Sequence, residues 1–387
     1  MRTVITAAHL LTPEKIVDHP IVVVEDGLLV SIQSADAADV PAAAQHLDYA
    51  DATLTPAFFD VHTHGGQGHD VMEASANAID ALGVFLTTHG VGSYFPTTVT
   101  APEEHILRAL DGLAQQIERT DHPGARPLGI HMEGPFLSCE KRGVHPPELL
   151  QPPSVPLFDR FYEAARGHIA LMTMAPELPG APELIEHATR KGVRISLGHS
   201  DAHTEAALTG IAAGARSATH TYNAMRALNH RDPGILGVVL DQHSLFAEII
   251  CDAIHVDPML VRLYWKAKGP DRCILITDAI SATGMPDGTY RLGNFDVTVA
   301  NGTCLSEGRL AGSVLTLDRA LQNFVGFTQC GLQAGLRCLT TNPAKMTGLE
   351  KQVGALEAGR AADITVLSPH GTVQAMLLRG QVVPATH

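Results

Sequence analysis

The sequence predicts an α/β fold: a (β/α)8 TIM barrel that carries a small β-sandwich assembled from the two chain ends. Three observations predict it. From Pro56 onward, short apolar runs alternate with helix-length segments, eight runs in all. Those runs finish repeatedly on histidine, glutamate or aspartate. Before and after this stretch the texture is that of strands. At 387 residues and 45% hydrophobic, the chain is long enough for one large barrel or two ordinary domains with a sizeable core.

Residues 1 to 54 read as short strands. Ile21 to Ile32 forms two β-rich runs joined at Asp26-Gly27, a hairpin signal because glycine tolerates the positive φ of a tight turn. The barrel strands are expected to end at His64, Pro96, Glu133, Pro176, His199, His220, Asp252 and Asp278. Pro102 to Arg119 reads as a helix between the second and third, opened by a capping box from Thr100 to Glu103. Past residue 350 strand texture returns, in Ala362 to Ser368 and Ala375 to Val383. The expected division is a small domain of residues 1–54 and 352–387 around a barrel of residues 55–351, without internal repeats or low-complexity linkers.

Composition narrows the partners. The formal net charge is -14, with the 41 acidic residues spread along the chain, so a long polyanion such as nucleic acid is repelled over most of the surface. A small anion can still find a local basic pocket. The six cysteines form no C-x-x-C pair and read as reduced core thiols. No run approaches membrane-spanning length and no signal-peptide pattern opens the chain, so a cytoplasmic protein is expected.

In a barrel of this class, chemistry sits at the C-terminal ends of the strands, where distant parts of the sequence converge. His62 and His64 lie one residue apart at the end of the first run, so on a strand they share a face and can hold one cation between them. A histidine pair alone also occurs on solvated strand faces. Here the same rim receives Glu133, His199, His220 and Asp278, each closing a different run. Together they predict a metal site. The carboxylate of Glu133 can bridge two cations, and Asp278, on an otherwise apolar run, would be costly to bury without a positive partner.

The motifs Asp60-Val-His-Thr-His-Gly65, His131-Met-Glu-Gly-Pro-Phe136, Leu197-Gly-His-Ser200, His220-Thr-Tyr-Asn-Ala-Met225 and Ile276-Thr-Asp-Ala279 resemble those of N-acetylglucosamine-6-phosphate deacetylases, members of the amidohydrolase superfamily. The likeness runs in order from Pro56 to Ser313, and the β-rich ends agree with it. The His-X-His pair is general to the superfamily. Glu-Gly-Pro and His-x-x-Asn-Ala-Met are more particular to the deacetylases.

The resemblance implies that Glu133, His199 and His220 hold the principal divalent ion, and that His62 and His64 serve a second, with Glu133 between. One or two ions per subunit are expected, zinc or iron first, with manganese, cobalt or nickel as further candidates. Asp278, also at the metal, would shuttle the proton, and His145 would polarise the acetyl carbonyl. Backbone N–H groups of Asn223 and Ala224, with Arg231 and His255, would meet the phosphate. Val144 and the loop Leu310-Ala311-Gly312 would pack on the sugar. Because the matching arginine can come from a neighbouring subunit, a homodimer is implied. Met225 is followed by Arg226-Ala-Leu-Asn-His230, a departure from the family pattern at the phosphate end.

The implied reaction is hydrolysis of N-acetyl-D-glucosamine 6-phosphate to D-glucosamine 6-phosphate and acetate, as in amino-sugar catabolism or cell-wall recycling. Three alternatives stand beside it. One is the same reaction on the galactosamine epimer. Another is a different amidohydrolase such as a dihydroorotase or deaminase, against which Glu133 speaks, since many of those use a modified lysine as the bridge. The last is a non-catalytic binding protein on the same fold, expected to have lost ligands that are present here.

Overall fold

Eight parallel strands line the centre of the molecule, each followed by a helix. The structure is a computed structural model that describes residues 2–36, 42 and 45–383. Met1, residues 37–41, 43–44 and 384–387, assigned from sequence to the small domain, lie outside the described residues. The barrel strands are Phe58–Thr63, Val91–Thr98, Ile130–Glu133, Ile169–Met174, Arg194–Leu197, Ser217–Ala218, Phe246–Ile250 and Cys273–Ile276. Each is hydrogen-bonded in parallel to the next. All eight expected strands are present in order, with ends within two residues of the expected ones. The runs are nearly all apolar because a parallel strand is covered on both faces.

Closure between the eighth and first strands is made at both ends. At the top, Asp278 N–H donates to His62 O at 2.9 Å and His64 N–H to Ala279 O at 2.7 Å. At the bottom the helices Leu332–Arg337 and Thr341–Thr347 plug the gap. There Phe59 N–H bonds Leu339 O, and Leu275 N–H bonds Cys338 O.

The helix after the second strand spans Glu103–Glu118, but the expected capping box is absent. Pro102 occupies the N-cap and no side chain caps the helix. Thr100 is used elsewhere: its hydroxyl bonds His145 across the barrel mouth.

The chain ends form one sheet, ordered 381–382, 373–378, 364–367, 45–56, 2–11, 20–25 and 28–34. Asp26 and Gly27 both adopt positive φ, +49° and +83°, as a primed hairpin turn between Pro20–Glu25 and Leu28–Ser34 requires. Leu29 N–H donates to Arg360 O and Ala362 N–H to Gly27 O, folding the far edge back over the sheet. A separate apolar core, including Ile5, Val22, Leu54 and Ile364, is enclosed as a sandwich.

One element is absent from the sequence reading. Between the eighth strand and the helix Leu317–Thr328 lies an antiparallel insert of four strands, Gly288–Leu292, Phe295–Ala300, Thr303–Ser306 and Arg309–Leu310. Val297, Val299 and Cys304 pack with Val99 and Ile280 and seat the insert against the barrel rim.

Candidate metal centre and substrate pocket

His62 is on the first barrel strand and His64 directly after it; Glu133 is the last residue of the third. His199, His220 and Asp278 each follow their strand by two residues. All three have positive φ, +46°, +28° and +52°. Left-handed backbone is costly for residues with a Cβ and collects at functional sites. Here it turns each side chain off the strand and into the barrel mouth.

The six side chains fall into two groups that share Glu133. Its Oε1 lies 3.2 Å from both His199 Nε2 and His220 Nε2, which are 3.1 Å apart. Its Oε2 lies 3.6 Å from His62 Nε2 and 3.3 Å from His64 Nε2. Those two nitrogens are 3.3 Å apart, and Asp278 Oδ1 is 3.4 and 3.1 Å from them. Ligand atoms about 2.1 Å from a tetrahedral metal are spaced about 3.4 Å from one another. The spacings in both groups, from 3.1 to 3.6 Å, are of that size.

The tautomers agree with a cation. His64 Nδ1 bonds Thr97 O at 2.9 Å and His199 Nδ1 bonds Lys141 O at 2.8 Å. A carbonyl only accepts, so each Nδ1 carries the hydrogen and each neutral ring turns an Nε2 lone pair inward. His62 Nδ1 faces the Glu248 carboxylate at 3.2 Å. Facing lone pairs at these distances repel unless a proton or a metal ion sits among them. No lysine or arginine pairs with Glu133, Asp278 or Glu248 among the described residues. The histidine and carboxylate groups therefore fit a divalent metal.

Without one, the neighbouring carboxylates raise the pKa of His62, His64 and His220 against the effect of burial. Burial works against the imidazolium of His64, but the Asp278 and Glu133 carboxylates outweigh it and raise its pKa to about 9. Burial likewise opposes charge on Glu133 and Asp278, yet the surrounding histidines hold both below the usual carboxylate range.

His145 approaches Glu133 Oε2 only to 3.9 Å and differs in character. Its Nδ1 accepts from Thr100 N–H at 3.3 Å and lies 2.8 Å from the Thr100 hydroxyl. The hydrogen is thereby placed on Nε2, facing the pocket. Burial, then the neighbouring His199, lowers its pKa to about 3, so it is a neutral N–H donor at pH 7.

A cavity of about 390 Å³ opens above these groups. Val144, His145, Asn223, Ala224, His255, Leu310 and Gly312 line it, as do Leu292, Phe295 and Arg309 of the insert. Arg309 donates to Gly143 O at 3.0 Å, tying the insert to the loop that carries His145. Ala311 does not line the cavity; it is buried in the core of the insert. Asn223 N–H is spent on His220 O at 2.9 Å, contrary to the expectation that it faces an anion, whereas the Ala224 N–H has no partner among the described residues. His255 is held by Asp252 at 2.6 Å. Arg231 lies outside the cavity on an exposed loop, its guanidinium unpaired among the described residues. A larger cavity, about 670 Å³, flanks helix Glu103–Glu118 but contains no such ligand set.

Sequence reasoning missed Glu248, the Lys141 carbonyl, Thr100 and Arg309. Glu248 had a signal, a lone charge inside the apolar run Phe246–Ile250. The others had none, because their roles depend on contacts between segments.

The amidohydrolase family model matches residues 53–383. The chain is 35% identical to N-acetylgalactosamine-6-phosphate deacetylase of Escherichia coli O157:H7, over 99% of each chain. It is 34% identical to N-acetylglucosamine-6-phosphate deacetylase of Bacillus subtilis (strain 168), over 96% of this chain and 95% of the other. Among solved structures, N-acetyl-D-glucosamine-6-phosphate deacetylase of Mycobacterium smegmatis, a mutant in complex with N-acetyl-D-glucosamine-6-phosphate, superposes with a TM-score of 0.93 at 32% identity, covering 99% of this chain and 100% of that one. The Pasteurella multocida enzyme gives 0.93 at 30% identity, with 99% of both chains covered. By family match, by relatives that align over nearly its whole length and by the histidine and carboxylate groups at its strand ends, the chain belongs to the amidohydrolase family.

Proposed function

We propose that this chain is a metal-dependent deacetylase that hydrolyses N-acetyl-D-glucosamine 6-phosphate to D-glucosamine 6-phosphate and acetate. The observation that carries the reading is the placement of Glu133 between two histidine pairs, beneath a cavity into which a neutral His145 points an N–H. Relatives of that name at 34% identity over nearly the full chain support the substrate.

A divalent ion at this site supplies Lewis acidity, polarising the acetyl carbonyl and acidifying a water. The protein's own groups do the rest. Asp278, within 3.1 Å of His64 Nε2, takes the proton from the attacking water and returns it to the departing amine. His145 Nε2–H donates to the oxygen that becomes negative in the tetrahedral intermediate. Ala224 N–H and His255 sit at the cavity wall where the phosphate would lie. Leu310 and Gly312 shape the sugar side. Zinc or ferrous iron suits the donor set first, with manganese, cobalt and nickel as alternatives.

The proposal includes a homodimer in which Arg231 of one copy reaches the phosphate in the other. Its unpaired guanidinium supports this. So do Leu228, Met259 and Leu263, exposed at 53%, 66% and 46%, on the elements after the sixth and seventh strands. Six unpaired cysteines support a cytoplasmic location, and no helix among the described residues is long and apolar enough to cross a membrane.

The galactosamine epimer is the second reading, favoured by the 35% identical Escherichia coli relative. Metal analysis of the purified protein with acetate release from both N-acetylhexosamine 6-phosphates tests the two together. Metal-replete protein that frees no acetate from either substrate removes the proposal; faster release from the galactosamine compound selects the second.

A further inference from the structure

Glu248 is the one charged residue of the seventh barrel strand, Phe246–Ile250, and its side chain is wholly buried. It does not line the substrate cavity. Its Oε2 lies 3.2 Å from His62 Nδ1 and accepts the His220 backbone N–H at 3.4 Å. Its Oε1 is buried without a hydrogen-bond partner. Burying a carboxylate on such terms is expensive unless a positive charge compensates nearby.

His62 has no other acceptor for that nitrogen among the described residues. The ring of His131 stands against it at 4.5 Å, nearly perpendicular. His131 is itself tied to the Thr173 hydroxyl at 2.8 Å and lies 3.3 Å from the Thr97 hydroxyl. The contrast with the other rings is informative. His64 and His199 lean on neutral carbonyls, whereas His62 alone has a carboxylate behind it. A carboxylate fixes the tautomer as a carbonyl does and also raises the basicity of the far nitrogen. It adds a third buried negative charge, beside Glu133 and Asp278, to a centre where one divalent ion cannot balance all three.

Resting on the reading of this centre as a metal site, we propose that Glu248 is the positioning residue of its second half: by holding His62 Nδ1–H it aims the Nε2 lone pair at the space shared with His64, Glu133 and Asp278, and its charge lets that half retain a second divalent cation. It acts through His62 and touches no substrate.

The test is ion stoichiometry and affinity, read by elemental analysis after equilibrium dialysis against graded zinc. The parent is expected to hold two ions per chain. Glu248→Gln and Glu248→Asp are expected to keep the first and to bind the second about 10–100-fold more weakly. The retained first ion shows that the variant is folded. In a His62→Gln background, adding Glu248→Gln is expected to leave the affinity of the remaining ion within about twofold, since the pair acts as one unit. A parent that saturates at one ion, variants with the parent's second-ion affinity, or loss of both ions together would each overturn the assignment. No substrate enters the measurement. A chain that binds two ions in this pattern yet frees no acetate therefore sinks the activity and leaves Glu248 standing.

Discussion

Asp278 N–H donates to His62 O at 2.9 Å, so the seam that closes the barrel is also the floor of the candidate site. Residues 216 positions apart are held in register by backbone, and their side chains meet at 3.4 Å. Asp278→Asn preserves this seam and the volume of the side chain while removing the basic oxygen. It is expected to retain the first metal ion and to lose about 10²–10⁴-fold in kcat. Metal analysis beside acetate release checks it; near-parent turnover would discard the proton shuttle.

Thr100 holds His145 as a neutral donor through its backbone N–H and its hydroxyl. His145→Gln is expected to lower kcat by about 10²–10³-fold with KM and metal content little changed, as for loss of one oxyanion donor. Thr100→Val keeps the backbone N–H and should cost less, about 10-fold. Steady-state kinetics of the two variants separate the roles, and equal losses would contradict the ranking.

Metal removal carries a pH signature. With the ion stripped, the raised pKa of His64, about 9 against 6.5, means that its proton stabilises the fold fully below about 6.5 and that this support is lost as pH rises to about 9. The melting temperature of chelated protein is expected to fall across that interval. Added zinc should restore it most at the alkaline end, releasing protons as it binds. A flat profile for the chelated protein would refute this.

The Arg231 guanidinium has no hydrogen-bond or ion-pair partner among the described residues, where only the residue's backbone N–H is engaged, by Asn229 Oδ1. Arg231→Met is expected to raise KM for the sugar phosphate about 10–100-fold, the scale of a charged hydrogen bond, with kcat nearly unchanged. Met259→Glu, at an exposed apolar position, is expected to make the proposed dimer monomeric and to reproduce the same KM defect. Light scattering after size exclusion reads the first effect. A monomeric parent with full activity would exclude the shared site.

Much of this molecule was legible residue by residue. The eight strands stood out because parallel strands are apolar throughout and end abruptly, as at Glu133-Gly134-Pro135. The insert at 288–310 escaped although it carried a period-two pattern in Phe295-Asp-Val-Thr-Val299 and a hairpin dipeptide at Asn301-Gly302. An expectation of helix after every barrel strand hid it. The Thr100–Glu103 spacing was read as a cap because local pattern cannot tell which partner a hydroxyl will choose.

By itself, then, the sequence determined the barrel, its strand order and the identity of the residues at the strand ends. Those follow from local periodicity, burial and chain order. Only the tertiary structure decided that each oxygen of Glu133 faces its own histidine pair, that Thr100 sets the tautomer of His145, and that Glu248 stands behind His62. These are relations of distance and direction between segments far apart in the chain, and they exist only once the barrel has closed.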